Sequence, residues 1–236
     1  FHQICTVNPE YIMSAQKNQE FFDIINSADL CVPDGAGLLW ASRITGQGKM
    51  IRVAGVDLIN HITELASKNN YKLYLVGSTD GVAQLAAKKL KIEYPGLNIV
   101  GAEEGIVETQ NPSTSLPRVY SGQVRAGEKR KTLRLRSGQA KNGLDFFTDN
   151  KDQIDSLIQR IQEAKPDILL AAFGQVKQDK FIYNYKDRIN VPVMMGVGGS
   201  FDFIAQRAKR APKIFQILWL EWFWRLIVEP WRFKRI

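Results

Sequence analysis

A chain of 236 residues, 44% of them apolar, is long enough for one large α/β domain or a domain with an appendage. Its two cysteines, Cys5 and Cys31, lie in apolar, strand-like contexts, too few for a disulfide scaffold or a structural zinc site, so a reduced, cytoplasmic compartment is expected. The net charge of +8 is concentrated in 109–144, with eight Lys/Arg against one acid, and in 206–236, with eight against two; the remaining body is mildly acidic, and a basic, aromatic tail fits anionic lipid at least as well as nucleic acid.

In chain order, the recurring unit is a short apolar run that ends in glycine or a small polar turn and is followed by a helical stretch. Residues 4–7 lead into Asn8-Pro9-Glu10 and a helix to about Ser27. Residues 30–32 lead into Pro33-Asp34-Gly35-Ala36-Gly37 and a helix to Ile44, and residues 73–76 end at Gly77-Ser78-Thr79-Asp80-Gly81 before a helix from about Val82 to Tyr94, stopped by Pro95-Gly96. Residues 98–100 lead into Gly101, 168–173 end at Gly174, and 191–196 end at Val197-Gly198-Gly199-Ser200. Wholly apolar strands separated by helices predict an α/β fold: a Rossmann-like, mainly parallel sheet with helices on both faces. Ligands then bind beyond the carboxyl ends of the strands, which predicts a cleft lined by Asn8, Asp34, Gly77, Gly101, Gln178 and Gly198.

The stretch 108–144 departs from this pattern. It lacks apolar periodicity, and residues 121–127 resemble residues 137–143. It reads as a basic, low-complexity, disordered insertion between the two parts of the α/β domain, 1–107 and 145–205. The chain opens in mid-strand, as a fragment lacking its first element would. No signal peptide is evident, and no uninterrupted apolar stretch is long enough to span a bilayer.

Several positions can carry chemistry, each with a plainer reading beside it. Thr6 and Asn8 can bind a ligand or form a strand-to-helix turn with Pro9 as first helical residue. Asp34 can serve as a general base or as a helix N-cap. Arg52 can clamp a diphosphate, or sit on the surface with Asp57 as N-cap of the next helix. The Gly77-Ser78 and Gly198-Gly199-Ser200 turns suit phosphate at a helix N-terminus but lack the full dinucleotide fingerprint. Gly174 and Gln178 place backbone and polar groups at another strand end. No Cys/His/Asp grouping has metal-ligand spacing.

The tail, run as one helix from Ile214 to Glu229, sets Glu221, Arg225 and Glu229 on one stripe of an otherwise aromatic and aliphatic surface. The charges disfavour a spanning segment, because each costs about 2.5–3.5 kcal/mol at the bilayer centre. The stretch 206–236 is therefore expected either to pack on the domain or to lie in a membrane interface, with the charged stripe facing the cleft and with Trp222, Trp224, Trp231, Arg232, Lys234 and Arg235 fitting an interfacial anchor.

Taken together, Thr6-Val7-Asn8-Pro9-Glu10, Pro33-Asp34-Gly35-Ala36-Gly37, Arg52-Val53-Ala54-Gly55-Val56-Asp57, Leu75-Val76-Gly77, Gly198-Gly199-Ser200-Phe201-Asp202, Arg210-Ala211-Pro212 and the tail from Leu220-Glu221-Trp222 to Glu229-Pro230-Trp231-Arg232 resemble the WecG/TagA/CpsF glycosyltransferase family. The resemblance spans nearly the whole chain except about 108–142. It implies inverting transfer of an N-acetylhexosamine-type sugar from a UDP donor to undecaprenyl-diphosphate-linked N-acetylglucosamine, without a metal or other cofactor. The enzyme would be peripheral at the inner face of the plasma membrane, with no nucleic-acid partner and with homo-oligomerisation left open. On the same basis Asp34 is the general base, Thr6, Asn8 and Gln178 are active-site contacts, Arg52 is a diphosphate ligand, and Arg225, Arg232 and Arg235 reach the cleft from the tail. In the stretch around Gln178, Val176 replaces the family's proline and Asp179 its glutamate. An NAD(P)-dependent oxidoreductase and a non-catalytic membrane- or nucleic-acid-binding module are the competing readings.

Overall fold

Six short apolar runs form one sheet in the computed structural model, which describes residues 1–106, 147, 150–208, 210–217 and 220–228. The strands are β1 (His2–Val7), β2 (Leu30–Pro33), β3 (Lys72–Gly77), β4 (Asn98–Glu103), β5 (Ile168–Ala172) and β6 (Val193–Gly196). Their order is β2-β1-β6-β5-β3-β4, and every neighbouring pair is parallel. Parallel strands need long crossovers, and helices supply them. These are α1 (Pro9–Ala15), α2 (Gln19–Ser27), α3 (Ala36–Ile44), α4 (Gly55–Asn69), α5 (Val82–Glu93), α6 (Lys151–Ala164), α7 (Lys177–Ile189) and α8 (Ser200–Ile204), followed by α9 (Lys213–Ile217) and α10 (Glu221–Val228).

Both faces of the sheet are covered, which is why the central strands are apolar throughout. On one face Ile59 of α4, Ala83, Ala86 and Leu90 of α5 and Phe201 of α8 pack on Leu73, Leu75, Leu170 and Met195. On the other, Ile154, Leu157 and Ile161 of α6 and Phe181 and Ile182 of α7 pack on Val76, Leu169 and Met194, and Tyr11 and Phe21 of α1 and α2 pack on Cys5 and Val7. The chain therefore leaves β1 toward one face and the adjacent β6 toward the other. A crevice opens between such strands at their carboxyl ends.

Local details depart from the sequence expectations. The first helix is two helices, because Asn18 caps a new start: its Oδ1 accepts from the Phe21 N–H at 2.9 Å. β4 continues past Gly101 to Glu103, so Gly101 is a mid-strand residue and not a strand end. The tail is not one helix. Leu220 N–H returns to Phe215 O at 2.7 Å, and Leu220 O accepts from Phe223 and Trp224, which starts α10 afresh. No described helix is long and apolar enough to cross a membrane. The basic stretch 108–144, Arg232 and Arg235 lie outside the described residues.

Candidate active site

A cleft of about 1230 Å³ lies over the carboxyl ends of the strands. β1 delivers Thr6 and Asn8 to it, β2 delivers Asp34, and the turn after β3 delivers Ser78. The turn after β5 contributes Gly174 and Gln178, and the turn after β6 contributes Gly198, Gly199 and Ser200. Arg52, just before α4, and Arg210, Glu221, Trp222 and Trp224 from the C-terminal part complete the lining.

The centre of the cleft is the start of α4. Asp34 Oδ2 accepts from the Gly55 N–H at 3.0 Å, and Asp34 Oδ1 lies 3.9 Å from Arg52 Nη2. Gly55 packs among three side chains: a Cβ there would lie in ordinary contact, 3.5 Å from Asp34 Oδ2, 3.6 Å from Thr6 Cγ2 and 3.7 Å from Ser200 Oγ. The Asp34 carboxylate, the Thr6 methyl and the Ser200 hydroxyl thus converge on the start of α4. Asp34 does not cap its own helix, since α3 begins after Gly35, which sits at φ 108° without a side-chain cap bond. The side chain of Asp34 keeps 31% of its exposure, enough to meet a ligand.

Asn8 caps α1, with its Oδ1 accepting from the Tyr11 N–H at 3.0 Å, and it also borders the cleft. Asp57 is not the N-cap of α4: the cap position is Ala54, and Asp57 instead holds the guanidinium of Arg210 through two bonds of 2.6 and 2.8 Å. That pairing draws the Asp57 carboxyl below its ordinary range and raises Arg210 above its own.

Gln178 is almost wholly buried beneath the cleft floor. Its Oε1 accepts from the Gly198 N–H at 2.8 Å and its Nε2 donates to Tyr11 Oη at 2.9 Å. Tyr11 in turn donates to Asp179 Oδ2 at 2.7 Å. Burial pushes Asp179 up to about 6, although the bonds from Tyr11 and Cys5 oppose the shift. Gly196 makes space for the network, since a Cβ there would meet Gln178 Nε2 at 2.7 Å. Val176, just before α7, has φ 70° and ψ −52°, a positive φ that β-branched residues rarely adopt.

Three of the predicted positions, Gly77, Gly101 and Asp57, lie away from the cleft lining. A Cβ on Gly77 would meet the Ala172 backbone at 2.5 Å, and one on Gly101 would meet the Tyr74 ring at 2.1 Å, so both glycines serve strand packing. Arg225 lies on α10. Glu221, on the charged stripe expected to face the cleft, does line it, whereas sequence reasoning missed Arg210, which binds Asp57 across 153 positions, a separation no local pattern reveals. Among the described residues, no group of three or more His, Cys, Asp or Glu side chains is placed to hold a metal ion.

The sequence model of the glycosyl transferase WecG/TagA/CpsF family matches residues 1–126 and 129–236. The match therefore runs through 108–142, where the quoted motifs show no resemblance. Over 233 residues, 99% of this chain and 74% of the relative, the chain is 31% identical to an N-acetylglucosaminyldiphosphoundecaprenol N-acetyl-beta-D-mannosaminyltransferase of Bacillus subtilis strain 168. Over the same shares it is 26% identical to the enzyme of that name from Bacillus spizizenii and 27% to that from Staphylococcus aureus strain MRSA252. A parallel sheet, a cleft at its carboxyl ends and a family match over nearly the whole chain together place this protein in the WecG/TagA/CpsF family of glycosyltransferases.

Proposed function

We propose that this glycosyltransferase moves an N-acetylhexosamine-type sugar, N-acetylmannosamine by analogy with its relatives' names, from a UDP donor to undecaprenyl-diphosphate-linked N-acetylglucosamine, with inversion. The observation that carries the reading is the adjacency of Asp34 and Arg52 over the start of α4. Inverting transfer needs one base, which takes the proton of the acceptor hydroxyl as that oxygen attacks the anomeric carbon, and a cation to receive the charge on the departing UDP. Asp34 is the base and Arg52 the cation. Thr6 and Ser200, beside them, orient the sugar.

The acceptor lipid requires the cleft to face a membrane. Trp222, Phe223, Ile227 and Val228 of α10 are exposed, and they form the surface that lies in the interface at the inner face of the membrane.

Substitution Asp34→Asn tests the base. Asparagine keeps an oxygen for the Gly55 N–H, so the fold and UDP binding persist. Turnover with UDP-N-acetylmannosamine and a lipid-diphosphate acceptor falls about 100-fold or more. Turnover within a few-fold of the parent enzyme rules out Asp34 as base.

A further inference from the structure

Three charged side chains from distant parts of the chain meet at the cleft wall. Arg52 Nη2 ion-pairs with Glu221 Oε2, and Arg210 Nε lies 3.4 Å from Glu221 Oε1. One carboxylate thus divides its two oxygens between two guanidinium groups, and all three residues line the cleft. Arg210 is braced from behind by its two bonds to Asp57. The Nε of Arg52 is buried and has no hydrogen-bond partner among the described residues, so this guanidinium has capacity beyond the contacts it makes. A pair of planar, fixed forks around one anion is the arrangement that recognises phosphate oxygens.

We propose that Glu221 holds the place of a diphosphate between Arg52 and Arg210, and that the donor's diphosphate binds by displacing it. The proposal rests on the UDP-sugar reading above and adds Arg210 and Glu221 to the diphosphate site. A diphosphate and Glu221 cannot both sit against Arg52 without like-charge repulsion in a site shielded from water. Glu221 therefore sets donor affinity. Because it is also the first residue of α10, whose Trp222 and Trp224 line the cleft, its release from Arg52 loosens that wall of the site. Removing its charge then has opposed effects: nucleotide binds more tightly, yet kcat falls. A residue that only supports the fold would weaken binding or leave it unchanged.

Calorimetric titration of the full chain and of Glu221→Gln, with UDP and separately with inorganic pyrophosphate, tests this. Both ligands should bind the variant about three- to tenfold more tightly, the range expected when one partly buried ion pair no longer competes. Glu221→Asp, which keeps the charge but draws it back from Arg52, should give a smaller gain in the same direction. Equal or weaker pyrophosphate binding by both variants overturns the proposal. Pyrophosphate binding that tightens as expected while UDP binds neither protein would leave the displacement standing and remove the nucleotide-sugar reading.

Discussion

Asp179 is fully buried under the cleft floor, where its carboxylate meets Tyr11 Oη at 2.7 Å and Cys5 Sγ at 3.6 Å. Burial outweighs these bonds and pushes its pKa up to about 6, against about 3.9 in an unfolded chain. Between those values the native state holds more protons than the unfolded one. Its contribution to stability is therefore greatest below about pH 4 and declines as pH rises to about 6. The slope is at most about 1.4 kcal/mol per pH unit. Asp179→Asn removes the titration while leaving an oxygen for Tyr11. Thermal melts of parent and variant should diverge across this window, with the parent losing stability relative to the variant as pH rises. Parallel curves would show that Asp179 does not titrate there. The same network explains why Gln178, read from sequence as an active-site contact, is buried: it holds the Gly198 N–H and Tyr11 in place and shapes the cleft from below.

At the scale of elements, the strands were legible because parallel, doubly covered strands are continuous apolar runs, and 168–172 and 73–76 are buried almost without exception. Strand ends were legible where glycine or proline marks them, which is how Asp34 and the Gly198 turn were found. Gly77 illustrates the other use of glycine. Its φ of 117° and the 2.5 Å approach of the Ala172 backbone leave no room for a Cβ. Gly77→Ala should lower stability by about 2–4 kcal/mol in chemical denaturation; a loss under about 1 kcal/mol would mean β3 and β5 can move apart there. The break between α9 and α10 was not legible, since neither glycine nor proline occurs from 213 to 228 and the apolar periodicity runs straight through. The split at Asn18 was legible in principle, as an asparagine cap followed by Glu20 in the first turn. Arg210 escaped detection because its partner, Asp57, lies 153 residues away along the chain, whereas the charged stripe of the tail made Glu221 legible as a residue facing the cleft.

For the whole molecule, the proposed membrane contact joins the cleft and the exposed face of α10 into one working surface. Phe223 and Ile227 are 42% and 53% exposed, and they follow Glu221, whose carboxylate points into the cleft wall. A protein carrying both Phe223→Asp and Ile227→Asp should bind vesicles containing anionic lipid about tenfold more weakly in a sedimentation assay, because two apolar anchors become charges of the same sign as the lipid. Undiminished vesicle binding would move the membrane contact elsewhere.

The strand order also governs how the molecule comes into being. β1 lies between β2 and β6, so the strand at residues 2–7 gains its second neighbour only when residues 193–196 arrive. Until then one edge of β1, with its ladder of backbone donors and acceptors, stays open on the ribosome. Such a late, long-range closure makes folding slow and exposes the nascent chain to mispairing. Cellular yield of this enzyme should therefore depend on chaperone supply and elongation rate as much as on the stability of the finished fold.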